Sequence, residues 1–148
     1  MIQEKERALW QKLYESAKAI HGERQVSPFI EAGSVSAALM TEKGNIYTGV
    51  CIDTACGLGM CAERSAIAAM LSAGESEIVK ILCIMPDGSC GGTPCGACRE
   101  FMMQLSANAP DIEVLTDTEN FSTVALGKMV PDWWGKKIYG LRETHEKI

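Results

Sequence analysis

The sequence lacks both a long apolar run and an excess of positive charge. No apolar stretch approaches the roughly 20 residues that a membrane-spanning helix needs, so we expect no membrane partner. The formal net charge of −5 at pH 7 argues against a nucleic-acid partner, because such a partner requires a basic surface. The polar segment 1–8 lacks the apolar core of a secretion signal. We therefore expect a cytoplasmic protein that acts on a small molecule.

Length and composition indicate one globular domain over residues 1–148. The chain has 47% hydrophobic and 22% charged residues, which is ordinary for a folded domain. A chain of this length buries enough surface to fold without disulfides. Its seven cysteines are an odd number without an export signal, so reduced thiols and metal binding are favoured over disulfide pairing.

The apolar pattern predicts helices and strands in the order α-β-β-α-β-α-β. The predicted elements are a helix over 3–20, strands over 34–40 and 45–52, a helix over 60–73, a strand over 78–85, a helix over 96–107 and a strand over 112–115. A loop through Pro28 precedes the first strand, and 121–126 fits either a last strand or the start of a short helix. This order predicts a three-layer α/β sandwich with a mixed sheet.

Three cysteines, Cys61, Cys95 and Cys98, have the spacing of metal ligands. They offer three thiolates to one tetrahedral Zn²⁺, and no fourth protein ligand is obvious. A structural zinc site is closed by four ligands, whereas a catalytic site leaves one position open for water. A structural four-cysteine site closed by Cys56 or Cys90 remains the alternative at this point.

The predicted helix starts favour charged sulfurs at these positions. Cys61 falls at the start of one predicted helix, and Cys95 and Cys98 open another. Unpaired N–H groups and the helix dipole at such starts stabilise thiolates. Three thiolates on Zn²⁺ carry a net charge of −1, so we expect Arg64 or Arg99 to donate hydrogen bonds to sulfur.

The segments Cys61-Ala62-Glu63-Arg64 and Pro94-Cys95-Gly96-Ala97-Cys98 resemble those of the cytidine deaminase family, specifically its small homotetrameric members. The resemblance runs from about residue 35 to about residue 134. It implies the three-layer fold, Zn²⁺ as cofactor, and a homotetramer with shared active sites. It also implies hydrolysis of cytidine, deoxycytidine or a cytosine-nucleoside analogue to the uracil form and ammonia.

The resemblance implies roles for the residues around the ligands. Glu63 would be the catalytic residue, taking a proton from metal-activated water and passing it to the ring nitrogen and then to the leaving amine. Ala62 and Pro94 would lie beside the substrate, Ala62 because its small side chain lets the helix approach the ring. Arg64 is favoured over Arg99 as the partner of the thiolates.

The sequence departs from the family where the sugar would bind. Cys51 and Asp53 stand where the family has the amide and the glutamate of an Asn-x-Glu-Asn segment, so both are expected to contact the substrate. The ring-stacking aromatic residue of the family aligns near Gly33, with Phe29 four residues earlier. These departures leave open a blasticidin S deaminase-like enzyme. A non-catalytic zinc-binding or sequestering protein is a further alternative, although such a protein has no need of Glu63.

The segment Val130-Pro131-Asp132-Trp133-Trp134 matches a family segment that reaches the pocket of a neighbouring subunit. Trp133 is therefore expected to contact the substrate bound by another subunit. The alternative is that both tryptophans close the core of their own domain. Aromatic residues are enriched at protein interfaces, which favours the first interpretation.

Overall fold

The structure is a computed structural model that describes residues 2–145, with side chains described for residues 2–140. Five α-helices and six strands are present in this part of the chain. They are α1 Glu4–Lys18, β1 Arg24–Ser27, β2 Ile30–Thr41, β3 Ile46–Thr54, α2 Ala62–Ser72, β4 Ile78–Ile84, α3 Gly96–Met103, a 3₁₀ turn Ala109–Asp111, β5 Glu113–Asp117, β6 Ser122–Ala125, α4 Leu126–Met129 and α5 Lys136–His145. None of the helices in the described part is long and apolar enough to cross a membrane.

The strands form one mixed sheet around β2. This strand pairs antiparallel with β3, with β1 near its start and with β4 further on. β4 and β5 are parallel, and β6 closes the edge antiparallel to β5. The parallel pair among antiparallel neighbours confirms the prediction of a mixed sheet.

Helices cover both faces of the sheet. Ala38 and Met40 of β2 pack with Trp10 and Leu13 of α1 on one face. Ala37 and Leu39, the alternate positions, pack on the other face with residues of α2 and α3. Because successive strand residues point to opposite faces, the apolar run of β2 serves two cores. The α-β-α layering confirms the predicted three-layer sandwich.

Four elements differ from the sequence prediction, and one of them is β2, which begins at Ile30 instead of residue 34. The predicted loop before β2 contains β1, a mostly exposed four-residue strand whose one partner among the described strands is the start of β2. Helix α3 ends at Met103 instead of continuing to 107, because the Ser106 hydroxyl accepts the Asn108 N–H and donates to Glu77, which forms a turn. The ambiguous segment 121–126 contains the end of a turn, strand β6 and the first residue of α4.

Close packing of α2 on β3 fixes the position of the site. A Cβ atom at Gly49 of β3 would lie 2.3 Å from the backbone N of Ala66 and 2.7 Å from the carbonyl O of Ala62. Only glycine allows this approach, since any side chain would push the helix away. The first turn of α2 therefore lies directly against the sheet.

Candidate active site

Three cysteine sulfurs converge where α2 and α3 begin. Cys61 is the residue immediately before α2, Cys95 is the residue immediately before α3, and Cys98 lies in the first turn of α3. Their three sulfur atoms all lie within 4.8 Å of one another. The Sγ atoms of Cys61 and Cys95 are 3.6 Å apart. The two segments predicted to supply ligands therefore meet in space.

The cluster fits Zn²⁺ with an open position. Zn–S bonds of about 2.3 Å at a tetrahedral angle place two sulfurs about 3.8 Å apart, close to the observed 3.6 Å. No further His, Cys, Asp or Glu of the described chain joins the cluster. Cys56 is exposed and bonds to Thr54, while Cys90 forms an isolated bridge with Ile84. A closed four-cysteine site is therefore not formed, and Zn²⁺ is the cofactor that this soft, three-thiol donor set suits.

The thiols of the cluster differ in acidity. Burial, followed by the nearby Glu63 carboxylate, raises the pKa of the Cys98 thiol well above its ordinary value. Burial also acts against the thiolate of Cys95, but hydrogen bonds from the backbone N–H groups of Cys98 and Ala97 and from neighbouring thiols leave its pKa lowered. A divalent cation held by the three sulfurs would offset the cost of the Cys98 thiolate and favour loss of the thiol proton.

The two arginines near the ligands make different contacts. The Arg64 Nη2 atom donates to the Cys61 sulfur at 3.6 Å, and hydrogen bonds to the sulfurs of Cys61 and Cys98 raise the pKa of Arg64. Arg99 instead donates from Nε to the Pro94 carbonyl at 2.7 Å and from Nη1 to a carbonyl of α4 at 3.2 Å. The expected contact with sulfur is thus made by Arg64, whereas Arg99 braces the backbone before Cys95.

Glu63 lies in a cavity beside the sulfur cluster. This inner cavity has a volume of about 160 Å³, and Glu63 is only 6% exposed. Its neighbours there include Ala62 of α2 and Cys61, the residue before that helix. Cys83 of β4 lines the same cavity, and burial followed by the Glu63 carboxylate raises the pKa of its thiol. Cys83 is buried, and its interaction with Glu63 was not expected from the sequence.

A second, outer cavity of about 310 Å³ adjoins the first. The two cavities share Cys51 and Cys61, and Asp53 lines the outer one. Cys51 and Asp53, both expected to contact the substrate, thus lie in the lining of the cavity that adjoins the sulfur cluster. Phe29 is 69% exposed in the turn between β1 and β2, and it lines neither cavity.

The remaining predicted contacts lie outside these cavities. Pro94 is buried, and its carbonyl accepts a hydrogen bond from the Arg99 Nε–H. Pro94 itself does not line the inner cavity, whereas the next residue, Cys95, does. Trp133 and Trp134 both donate their indole N–H groups to Glu100 of α3. Within one chain, Trp133 borders a separate cavity with Gln104 and α5.

Several lining residues were not found from the sequence. They come from β2, β4 and the loop before α3, and are Val35, Cys83, Met85, Gly92 and Thr93. The alternation of β4 did hold a signal for Cys83, because Ile81 and Cys83 share the face that packs on α2. The other positions depend on strand pairing, which sequence spacing does not reveal.

Comparisons with known proteins agree with this geometry. The family model for the cytidine and deoxycytidylate deaminase zinc-binding region matches residues 8–112. The chain is 33% identical to the crystal structure of cytidine deaminase from Burkholderia pseudomallei, with a TM-score of 0.64 over 84% of this chain and 98% of that one.

Two curated relatives match over shorter lengths. A probable cytidine deaminase from Dictyostelium discoideum is 36% identical over 90 residues, which is 60% of this chain and 58% of the relative. A cytidine deaminase from Halalkalibacterium halodurans is 39% identical over 72 residues, which is 48% of this chain and 54% of the relative. The matched part therefore spans less than two thirds of either relative.

Proposed function

Because the chain belongs to the cytidine and deoxycytidylate deaminase family with its zinc-binding region, we propose that it is a zinc-dependent hydrolase of cytosine nucleosides. It converts cytidine or deoxycytidine, with one water, to the uracil nucleoside and ammonia. The observation that carries this proposal is a cluster of three cysteine sulfurs beside the cavity that the buried Glu63 lines. Cys61, Cys95 and Cys98 are the proposed ligands.

The metal ligands, Glu63 and the apolar residues of the cavity have different roles in the proposed reaction. Cys61, Cys95 and Cys98 would hold Zn²⁺, which would supply Lewis acidity and so lower the pKa of water. The Glu63 carboxylate takes a proton from the attacking water and delivers it to the ring nitrogen beside the amino-bearing carbon. The same carboxylate then takes the remaining proton from the hydroxyl that has added to the ring carbon and passes it to the amino group. The carbon–nitrogen bond breaks, ammonia leaves and the carbonyl forms. Val35 and Met85 provide apolar walls that exclude other water from the ring.

The position of Glu63 opposes a non-catalytic role for the site. Burying a carboxylate has a free-energy cost that a protein serving only to sequester a ligand has no reason to bear. The relatives described above carry the name cytidine deaminase, which favours cytidine over blasticidin S as the substrate.

A homotetramer with shared active sites is part of the proposal. Trp134 is 65% exposed beside Trp133, and Ile138 is 43% exposed nearby, so this surface suits an interface. Trp133 would then border the site of a neighbouring subunit. Light scattering of the zinc-loaded protein measures the mass directly, and a monomer would contradict this part.

A cytoplasmic location is also part of the proposal, because the three cysteine ligands must remain reduced to bind the metal.

The test of the proposed function is ammonia release by the zinc-loaded protein. The panel is cytidine, deoxycytidine, cytosine, guanine and blasticidin S, with the two nucleosides expected to be the substrates. Glu63→Gln keeps the shape of the side chain but cannot accept the proton, so turnover should fall by about 10²–10⁴-fold. Zinc content should stay unchanged, and Glu119→Gln, an exposed position, serves as the matched control.

Two outcomes would contradict the proposal. Near-normal turnover by Glu63→Gln would show that this carboxylate does not carry the proton. Tight binding of a cytosine compound without any ammonia release by the wild type would instead support a sequestering protein. Selective turnover of blasticidin S would identify the substrate as the antibiotic.

A further inference from the structure

Met85 and Gly92 are in contact at the wall of the inner cavity. Met85 follows β4, Gly92 lies in the loop before α3, and both residues line the cavity. A Cβ atom built at Gly92 would overlap the Met85 Sδ atom and lie 2.9 Å from its Cγ atom. Non-bonded carbon atoms prefer a separation of about 3.5–4.0 Å. The Met85 side chain therefore occupies the space that a side chain at position 92 would need.

The backbone of this loop is fixed from both sides. The Gly91 N–H donates to the Cys83 carbonyl of β4 at 3.0 Å. On the other side, a Cβ atom at Gly91 would lie 2.7 Å from the carbonyl C and O atoms of Thr116 in β5. The loop backbone thus lies between two strands and has little room to retreat from a side chain at Gly92. Because methionine has a flexible, unbranched side chain, the Met85 thioether is the part that would move.

The inner cavity has the size of one six-membered ring. Its volume is about 160 Å³, and an apolar protein cavity of about 150 Å³ holds one benzene molecule. Glu63 and two of the proposed metal ligands line part of the cavity, while Val35 and Met85 supply apolar side chains. The cavity therefore has no space for a second ring or for a large group attached to the first ring.

The proposed reaction assigns each edge of a cytosine ring to a part of this lining. The amino-bearing carbon must face the sulfur cluster, and the ring nitrogen beside it must face Glu63. The nitrogen that carries the sugar must face Cys51, where the inner cavity joins the outer one. The remaining edge consists of ring carbons 5 and 6, which carry no polar group. This edge suits the apolar wall to which Met85 belongs.

We infer that Met85, held in position by Gly92, is a specificity-determining residue that excludes substrates with a bulky group on ring carbon 5. This inference rests on the proposed function, and it narrows the substrate class to cytosine nucleosides that carry only hydrogen at this carbon. One methylene too many in a tight apolar pocket changes kcat/KM about 10- to 200-fold. Shortening the Met85 side chain should relax this selection, because the metal ligands and Glu63 remain in place.

The experiment compares cytidine, 5-methylcytidine and 5-ethylcytidine by kcat/KM on the zinc-loaded wild type and variants. The two alkyl groups differ in size and hardly in their electronic effect on the ring. In the wild type, the methyl group should lower kcat/KM about 10- to 200-fold, and the ethyl group should lower it further. Met85→Ala should bring the three compounds to within about threefold of one another, whereas Met85→Leu, which conserves volume, should keep the wild-type ratios.

Met40→Ala is the matched control for the loss of a methionine side chain. Met40 is buried in the core on the opposite face of the sheet, so its replacement should lower Tm and keep the ratios between the three nucleosides. A wild type that turns over 5-ethylcytidine within about threefold of cytidine would overturn the inference. Unchanged ratios in Met85→Ala would overturn it as well.

A double variant tests whether Gly92 acts through Met85. Gly92→Ala should lower kcat/KM for cytidine about 10-fold, mainly by raising KM, because the displaced thioether narrows the cavity. In the Met85→Ala background the same substitution should have an effect of less than about threefold, since the overlapping atoms are gone. A loss of folding in Gly92→Ala that Met85→Ala restores would support the same contact. An equal effect of Gly92→Ala in both backgrounds would overturn the role of Gly92.

Equilibrium binding distinguishes failure of the inference from failure of the proposed function. Calorimetry with uridine, 5-methyluridine and 5-ethyluridine, the uracil forms, measures Kd on the zinc-loaded wild type without turnover. A Kd that rises about 10- to 200-fold with the methyl group, together with no ammonia release from cytidine, would refute the function and retain the inference. Normal ammonia release with equal Kd values for all three compounds would do the reverse. The absence of both binding and ammonia release would refute both.

Discussion

Replacing Arg64 by glutamine tests how the charge of the sulfur cluster is balanced. Three thiolates and one Zn²⁺ leave a net charge of −1, and the Arg64 guanidinium is the cation directed at it, with Nη2 at 3.6 Å from the Cys61 sulfur. Hydrogen bonds to the sulfurs of Cys61 and Cys98 raise the pKa of Arg64. Its Nε is buried without a hydrogen-bond partner among the described residues. The guanidinium is therefore held mainly by its contacts with sulfur.

The expected magnitude follows from these contacts. A hydrogen bond to a charged group contributes about 1.5–3 kcal/mol. The 3.6 Å separation is long, which favours the lower end of that range for Arg64. We therefore expect Arg64→Gln to weaken Zn²⁺ affinity about 10-fold, and at most about 100-fold, as for other groups that support metal ligands. Arg64→Lys should recover part of the loss because it restores the charge without the forked geometry.

The assay is competition for Zn²⁺ with a chromophoric chelator at fixed pH. Arg24→Gln, an exposed position on β1, controls for the change in net charge. Arg99→Gln provides a second comparison, because Arg99 binds backbone carbonyls and should affect Tm more than zinc affinity. A Zn²⁺ affinity of Arg64→Gln within threefold of wild type would refute the reasoning.

Two further predictions concern the metal ligands and the buried cation Lys80. Cys98→Ala should lose zinc and activity together in metal analysis and turnover assays, and full retention of zinc would show that other cysteines bind the metal. Lys80 is buried with carboxylates of Glu6 and Glu113 each 2.8 Å away, so Glu6→Gln with Glu113→Gln should destabilise the fold by about 3 kcal/mol in urea titrations. Lys80→Met should cost less than about 1 kcal/mol, because both carboxylates can reach water. Burial acts to lower the pKa of Lys80, but the two carboxylates outweigh it and leave the pKa raised. The stability from this charge is therefore present below about pH 10.4 and should be lost as pH rises through the folded-state pKa, a loss that Lys80→Met should not show.

Elements with strong periodicity were predictable from the sequence. Helix α1 was expected over 3–20 and spans Glu4–Lys18, and β4 was expected over 78–85 and spans Ile78–Ile84. Strand β1 was not predictable, since Arg24–Ser27 is short, exposed and polar, and its extended conformation comes from pairing with β2. The start of β2 was missed for a different reason, because its pairing with β3 is irregular between Ala32 and Ser36 and this irregularity interrupts the alternation of its side chains.

The ligand residues were predictable because two short sequence segments carry them. The Cys-x-x-Cys spacing at a helix start predicts that Cys95 and Cys98 lie on one turn, whereas the meeting of Cys61 with them depends on tertiary packing and was expected from the family resemblance. The lining of the cavities was less predictable. Val35 and Met85 reach the inner cavity through the pairing of β2 with β3 and β4. That pairing also places the Ser34 hydroxyl and the Val35 N–H beside the Cys51 sulfur. These contacts were not predicted, because the sequence suggested only a substrate contact for Cys51.

Cysteine occupies the position immediately before both α2 and α3, and this unusual choice of residue marks the metal site in the sequence. Ser, Thr, Asp and Asn are the residues that usually satisfy the N–H groups of a first turn, and a thiol is a weaker acceptor than any of their oxygens. Cys61 and Cys95 nevertheless hold this position in α2 and α3, and their sulfurs meet 3.6 Å apart. One cysteine at a capping position would be a minor departure from the usual residue types. Two such cysteines whose sulfurs lie at the separation of metal ligands instead indicate that both sulfurs bind one ligand shared by the two helices.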